Sequence, residues 1–151
     1  MPEMILRIVD ADSLDFKQLT QKLNEYYISL VGDIHLRYAA FNDPKNFACR
    51  IVAYVADHPV ACGCWKIVDD TTAEIKRIYV LPAYRRIGAA SKIIHALEQD
   101  ISSSGRSHVV LETARTTPDS ESLYVSLGYT EMDYYGSPAG AENCLCFEKY
   151  L

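Results

Sequence analysis

The chain has 151 residues, 49% hydrophobic and 23% charged, the balance of an ordinary soluble globular protein, which excludes disordered and fibrous classes. Fifteen basic against 20 acidic residues give a formal charge of -5, which argues against a domain whose task is binding nucleic-acid phosphates. No repeat, low-complexity run or linker divides the chain, so one domain over residues 1–151 is expected.

"MILRIVD" alternates as a first strand. "DADSLDFKQLTQKLNEYYISLV" follows with Leu14, Leu19, Leu23, Tyr26, Tyr27 and Leu30 at helical spacing and Asp12 or Ser13 as N-cap. "GDIHLRYAAFNDPKNF" is irregular and predicts a loop or short helix. "RIVAYVADHPVACGCWKIVDDTTAEIKRIYVLP" then reads as three strands, broken at residues 57–59 and 69–71 by turn-forming residues. "GAASKIIHALEQDISSSG" places Ala90, Ile93, Ile94, Leu97 and Ile101 on one helical face, with Gly105 as its stop. "SHVVLETA" is a short, nearly continuous apolar strand. "PDSESLYVSLGY" opens on Pro118 and acidic residues, a favourable helix start, and ends at Gly128. "TEMDYYG" and "NCLCFEKYL" complete the chain as strands. Three antiparallel strands followed by strand–helix crossovers imply an α/β (α+β) fold: a mixed, mostly antiparallel sheet of about seven strands with helices on both faces.

The N-terminal "MPEMILRIVDADSLDF" carries acidic residues where a signal peptide needs a positive region, and no run approaches about 18 apolar residues. The odd number of cysteines suits free thiols. The expectation is a cytoplasmic protein that neither crosses nor binds membranes.

The stretch "VLPAYRRIGAAS" concentrates charge and small side chains at a strand-to-helix turn. Gly88 permits a tight turn and close approach to the backbone. The helix that begins there offers unpaired amides and the positive end of its dipole, an anion site. Arg85 and Arg86 add charges suited to phosphate oxygens. An ordinary solvated turn is the other reading of these residues alone.

Arg85-Arg86-Ile87-Gly88-Ala89-Ala90 resembles the Q/R-x-x-G-x-G/A motif of the GCN5-related N-acetyltransferase (GNAT) superfamily. "YVLPAYRR" resembles that family's V-x-P-x-x-R entry into the loop, and "SLYVSLGY", whose Tyr124 lies 36 positions after Gly88, resembles its L-Y-x-x-x-G-F/Y segment. The order of elements matches as well. The resemblance implies acetyl-CoA as co-substrate, with no metal. The amides of Arg86, Ile87, Gly88, Ala89, Ala90 and Ser91 would hold the pyrophosphate, with Arg85 beside them. Ile78, Tyr79 and Val80 would bond the pantetheine arm through the main chain, as an added strand does. One position departs from the pattern: many members carry asparagine where this chain has Thr117.

The reaction implied is transfer of the acetyl group to a primary amine through a tetrahedral intermediate. It needs a base for the ammonium proton, donors for the oxyanion and an acid at the sulfur. By position in the motif, Glu74 corresponds to the base, Tyr124 to the acid and the Val80 amide to the oxyanion donor. The structural alternatives are a strand glutamate facing Lys76 or another cation for Glu74, and a core aromatic for Tyr124. A transferase of another acyl group and a non-catalytic acyl-CoA sensor share the same cradle.

Other residues read more plainly. Cys62/Cys64 and Cys144/Cys146 lack the turn spacing of structural zinc sites, so buried thiols are expected. His35, His58, His95 and His108 show no ligand spacing. Tyr26, Tyr27, Tyr38, Tyr134 and Tyr135 fall where the family borders its acceptor cleft, as pocket or as core aromatics. Asp33, Asp43 and Glu112 could attract a cationic acceptor. The partner expected is a small-molecule or peptide amine, with no nucleic acid; dimers, common in the family, leave a homodimer open.

Overall fold

Seven strands share one sheet in the computed structural model, which describes residues 3–31, 43–114, 118–136 and 144–151. In chain order they are β1 (Met4–Val9), β2 (Cys49–Val55), β3 (His58–Ile67), β4 (Thr72–Val80), β5 (His108–Ala114), β6 (Thr130–Met132) and β7 (Cys144–Tyr150). The helices are α1 (Leu14–Val31), α2 (Ala89–Ser103) and α3 (Pro118–Ser126). The spatial order is β1-β2-β3-β4-β5-β7-β6, with β4 and β5 the parallel pair and all other neighbours antiparallel. The mixed sheet expected from the sequence is therefore present.

Each helix follows from its pattern. Ser13 caps α1, its Oγ accepting from the Phe16 amide at 3.2 Å. The helix buries Phe16, Leu19 and Leu23 against Val52, Tyr54, Cys62, Cys64 and Tyr79. Leu14, expected on that stripe, is 71% exposed, because Phe16 holds the sheet-facing position. On the other face, α2 buries Ile93, Ile94, Leu97 and Ile101 against Ile51, Trp65, Ala73 and Ile75. A fully buried aliphatic side chain stabilises by about 1.5–3 kcal/mol, so this stripe anchors the helix. Gly105 (φ 89) and Gly128 (φ 92) end α2 and α3 in the left-handed region. Polar pins complete the packing. Trp65 Nε1 donates to Asp100 Oδ2 at 2.7 Å. Buried Glu98 accepts from Tyr129 Oη at 2.8 Å and Lys149 Nζ at 3.1 Å, fastening α2 to β7 and to the turn after α3.

The first hairpin turns earlier than the sequence suggested. Ala56 (φ 48) and Asp57 (φ 66) form a two-residue left-handed turn, so His58 and Pro59 already belong to β3. The register slips between Ala53 and Tyr54, opposite Pro59, which is how a strand accommodates a residue without an amide hydrogen. "TEMDYYG" forms strand only over β6.

Two irregularities prepare the site. In β3–β4, Cys62 pairs with Tyr79 and Cys64 with Lys76, so Gly63 faces two residues, Arg77 and Ile78: a bulge. A Cβ on Gly63 would lie 2.5 Å from Ile78 Cδ1 and 2.7 Å from Ile93 Cγ2. In β4–β5, pairing covers Thr72–His108, Ala73–Val109 and Glu74–Val110, then stops. Leu111–Ala114 stay bonded to β7, so β4 and β5 part company above Glu74.

The cysteine pairs lie on β3 and β7, separated by β4 and β5. Three strand spacings are about 14 Å, too far for one ion. Cys49, Cys62, Cys64 and Cys146 are buried thiols and Cys144 is half-buried. Among the described residues no helix is long and apolar enough to cross a membrane.

Candidate active site

A cavity of about 790 Å³ occupies the gap between β4 and β5, walled also by the second half of α1, the loop into α2 and the first turns of α3. Ten of the twelve residues given a coenzyme or catalytic role by sequence line it: Ile78, Tyr79, Val80, Arg85, Arg86, Gly88, Ala89, Ala90, Ser91 and Tyr124; Tyr26, Tyr27 and Glu112 join them. Ile87 and Glu74 are not on its wall.

The loop end is built for an anion. Arg86 (φ 66) and Gly88 (φ 83) are both left-handed, the geometry that gathers successive amides into a concavity. Gly88 is the N-cap of α2, and no side chain caps that helix. The amides of its first turn are therefore left for another acceptor. An added Cβ on Gly88 would meet nothing within 4 Å, so the space beside the loop is open. Arg85 leans across the mouth: its Nε donates to the Val80 carbonyl at 3.1 Å, and its guanidinium sits 6.0 Å from the Tyr26 and Tyr79 rings.

The strand side offers main-chain groups. Leu81 N donates to Val60 O at 2.8 Å, so that pair is hydrogen-bonded. The next pair, Ala61–Val80, is of the alternate kind, and its amide and carbonyl point away from β3. Since β5 has already diverged, the Val80 peptide groups face the gap.

Tyr124 is 7% exposed and packs edge-on to Tyr129, with ring centroids 6.0 Å apart. Burial, with a smaller contribution from Tyr27, pushes its phenol above the ordinary tyrosine value. Burial raises Tyr27, also on the cavity wall, in the same direction. Both hydroxyls therefore stay protonated at neutral pH.

Two carboxylates behave differently. Glu74 is 7% exposed. Tyr135 Oη donates to its Oε2 at 2.5 Å, while Lys66 and Lys76 lie 3.8 and 3.9 Å from its Oε1. Tyr135 is in turn pushed upward, first by burial of its hydroxyl and then by Glu74. Glu112, on β5, is exposed on the cavity wall and accepts from Tyr134 Oη at 3.3 Å. The sequence pointed to Glu112 only as a possible attractor of cations. Its place in the same cavity as Tyr124 follows from the divergence of β5, which no local pattern announces. Lys76 and Arg77, also on the wall, were not singled out. Gly63 inside a strand was the available signal, because a strand glycine marks a bulge.

The remaining candidates lie elsewhere. Asp43 accepts from the Lys45 amide in a short turn. His58 is exposed at the start of β3. His95 Nδ1 lies 3.4 Å from Glu98. His108 bridges Thr72 and Glu148 at 3.0 and 2.7 Å at the foot of the sheet. Asp33, His35, Tyr38 and Thr117 fall outside the described residues.

Comparisons with known proteins agree with this architecture. A proposed acyl-CoA N-acyltransferase from Klebsiella pneumoniae superposes with a TM-score of 0.81 at 19% identity, over 98% of this chain and 97% of its own. PaiA N-acetyltransferase from Thermoplasma acidophilum, solved in complex with coenzyme A, gives 0.76 at 15% identity over 99% of both chains. A GNAT family acetyltransferase from Elizabethkingia anophelis with acetyl-CoA bound gives 0.72 at 14% identity over 98% of both. No curated protein matches the sequence. At these identities the likeness concerns the fold, but the acetyltransferase (GNAT) family model matches residues 16–129. The chain belongs to the acetyltransferase (GNAT) family.

Proposed function

We propose that this chain is a single-domain, acetyl-CoA-dependent N-acetyltransferase acting on a primary amine. The observation that carries the reading is the uncapped start of α2, with left-handed Arg86 and Gly88, opening into the same cavity as Tyr124. Those amides and the two arginines fit a pyrophosphate. The outward-facing Val80 peptide suits a pantetheine arm bound along β4.

Acetyl-CoA supplies an acetyl thioester, and the transfer releases the coenzyme as a thiol. The chain's own groups do the rest. An amine with an ordinary pKa near 10 arrives mostly as ammonium, so a carboxylate must take its proton. Attack of the neutral amine forms the C–N bond and a tetrahedral intermediate; its collapse breaks the C–S bond, and the departing sulfur takes a proton from Tyr124 Oη. The Val80 amide is placed to meet negative charge on the carbonyl oxygen.

For the base, the motif points to Glu74. A second reading, Glu112, is favoured by a specific observation: it is the glutamate on the cavity wall, whereas Glu74 lies off it with Tyr135 and two lysines around it. Proton transfer to Glu74 would need an intervening water.

The test is a panel of amines with acetyl-CoA, with products identified by mass spectrometry. An N-acetylated product with stoichiometric thiol release supports the proposal. Tight acetyl-CoA binding with no product from any amine would point to an acyl-CoA sensor. Faster turnover with propionyl- or butyryl-CoA would make the donor another acyl group.

A further inference from the structure

The bulge in β4 changes which side chains share a face. Before it, Ala73 and Ile75 pack on the α2 side; after it, Ile78 and Val80 do. Strict alternation cannot place residues 75 and 78 on one side. The extra residue thus puts Lys76 and Arg77, two consecutive cations, on the α1 side of the sheet, where both line the cavity.

Among the described residues Arg77 has no counter-charge. It is 8% exposed. Its Nη2 donates to the Thr20 carbonyl at 2.8 Å and to Asn24 Oδ1 at 2.5 Å, both neutral acceptors on α1. Among the described residues no carboxylate forms an ion pair with it, and its Nε and Nη1 make no further hydrogen bond. The acidic groups whose electrostatics act on it are the thiols of Cys62 and Cys64 and the phenol of Tyr27, all neutral at pH 7. Buried charges are ordinarily paired, and an unpaired one is costly. Desolvation lowers the basicity of both Arg77 and Lys76, a cost that an incoming anion would offset.

The rest of the acceptor side does not supply that anion. Glu74 is shared by Lys66, Lys76 and Tyr135, and Glu112, on β5, accepts from Tyr134. A polycationic acceptor would bring more positive charge against Lys76 and Arg77. Although the whole chain is acidic, this wall of its cavity is not.

We propose that Arg77, with Lys76 beside it, anchors a carboxylate on the acceptor, so that the amine acetylated belongs to a small molecule of the amino-acid class. This rests on the N-acetyltransferase reading above. Nη2 is taken by Asn24 and the Thr20 carbonyl, neutral groups that hold the guanidinium without neutralising it, which leaves the Nε and Nη1 hydrogens to give a carboxylate a charge-assisted hydrogen bond.

The test is calorimetric titration of CoA-saturated protein with alanine, methionine, phenylalanine and β-alanine, each against its carboxamide. Wild-type protein should bind the acids at least about 10-fold more tightly than the amides, the range of a charged hydrogen bond. Arg77→Gln should bring each ratio to about 1, and Arg77→Lys should leave an intermediate preference, because a point charge remains without the guanidinium's hold on α1. CoA binding and the melting temperature of each variant report folding. If Arg77→Gln does not fold, the ratio in Arg77→Lys decides. Equal binding of acid and amide by wild-type protein, or binding of none of the acids, overturns the proposal, as does an acid preference that survives Arg77→Gln. Failure of wild-type protein to bind CoA in the first titration overturns the coenzyme reading, and the acceptor proposal with it.

Discussion

Replacing Tyr124 with phenylalanine isolates one atom. The ring stays packed against Tyr129 and Phe147, at centroid distances of 6.0 and 6.3 Å. The lost hydroxyl has no hydrogen-bond partner among the described residues, so the fold should change by at most about 1 kcal/mol in either direction. If that hydroxyl protonates the departing sulfur, turnover should fall by about 10²–10⁴-fold, or roughly 2.7–5.5 kcal/mol of transition-state stabilisation. Acetyl-CoA affinity should hold within about threefold, because the cradle of amides lies elsewhere in the cavity. Burial keeps the phenol protonated, so the loss should be uniform from about pH 6 to 9. The measurements are kcat and KM by product mass spectrometry, coenzyme affinity by calorimetry and Tm by differential scanning. Turnover within about threefold of wild type would show that Tyr124 is a packing aromatic. A fall in coenzyme affinity matching the fall in turnover would make the ring a binding element instead.

Glu112→Gln should reduce kcat by about 10²-fold or more with Tm nearly unchanged, since the residue is exposed; loss of turnover in Glu74→Gln but not in Glu112→Gln would return the base to Glu74. Gly63→Ala should destabilise the protein by about 1–3 kcal/mol, seen as a lower urea midpoint, because its Cβ would press on Ile78 and Ile93; an unchanged midpoint would mean that the bulge yields freely. Burial pushes the Cys62 and Cys49 thiols up from 9.0 to about 12. The folded state therefore holds these protons more tightly than the unfolded chain, so their contribution is full below pH 9 and is lost as pH rises towards 12. The urea midpoint should accordingly drop above pH 9, and a flat profile from pH 8 to about 10.5 would contradict the burial of these thiols.

The features readable in the sequence were those set by neighbours along the chain. The loop from Arg85 to Ser91 is one. Its glycine, its small residues and the helix pattern after it determine a left-handed turn and an open helix start, whatever packs around them. Strand alternation and helical spacing likewise revealed the elements, and with them a mixed sheet. Phe16 displaced Leu14 from the buried stripe because a helix turns to bury its largest apolar side chain, a choice made by the sheet beneath it.

What belonged to tertiary structure was the direction in which side chains point. "TAEIKRIYV" looks like an unbroken strand, and unbroken alternation would turn Arg77 away from Lys76. Pairing with "ACGCW" inserts one extra residue, and the two cations then share a wall. The divergence of β5 from β4 after Glu74 is just as silent in sequence, yet it opens the cavity and sets Glu112 on its wall while Glu74 lies off it. Local sequence determined the turn from Arg85 to Ser91 because backbone conformation there is a property of a few consecutive residues. Register and strand divergence, which are properties of pairs of strands distant in sequence, decided what β4 and β5 present to the cavity.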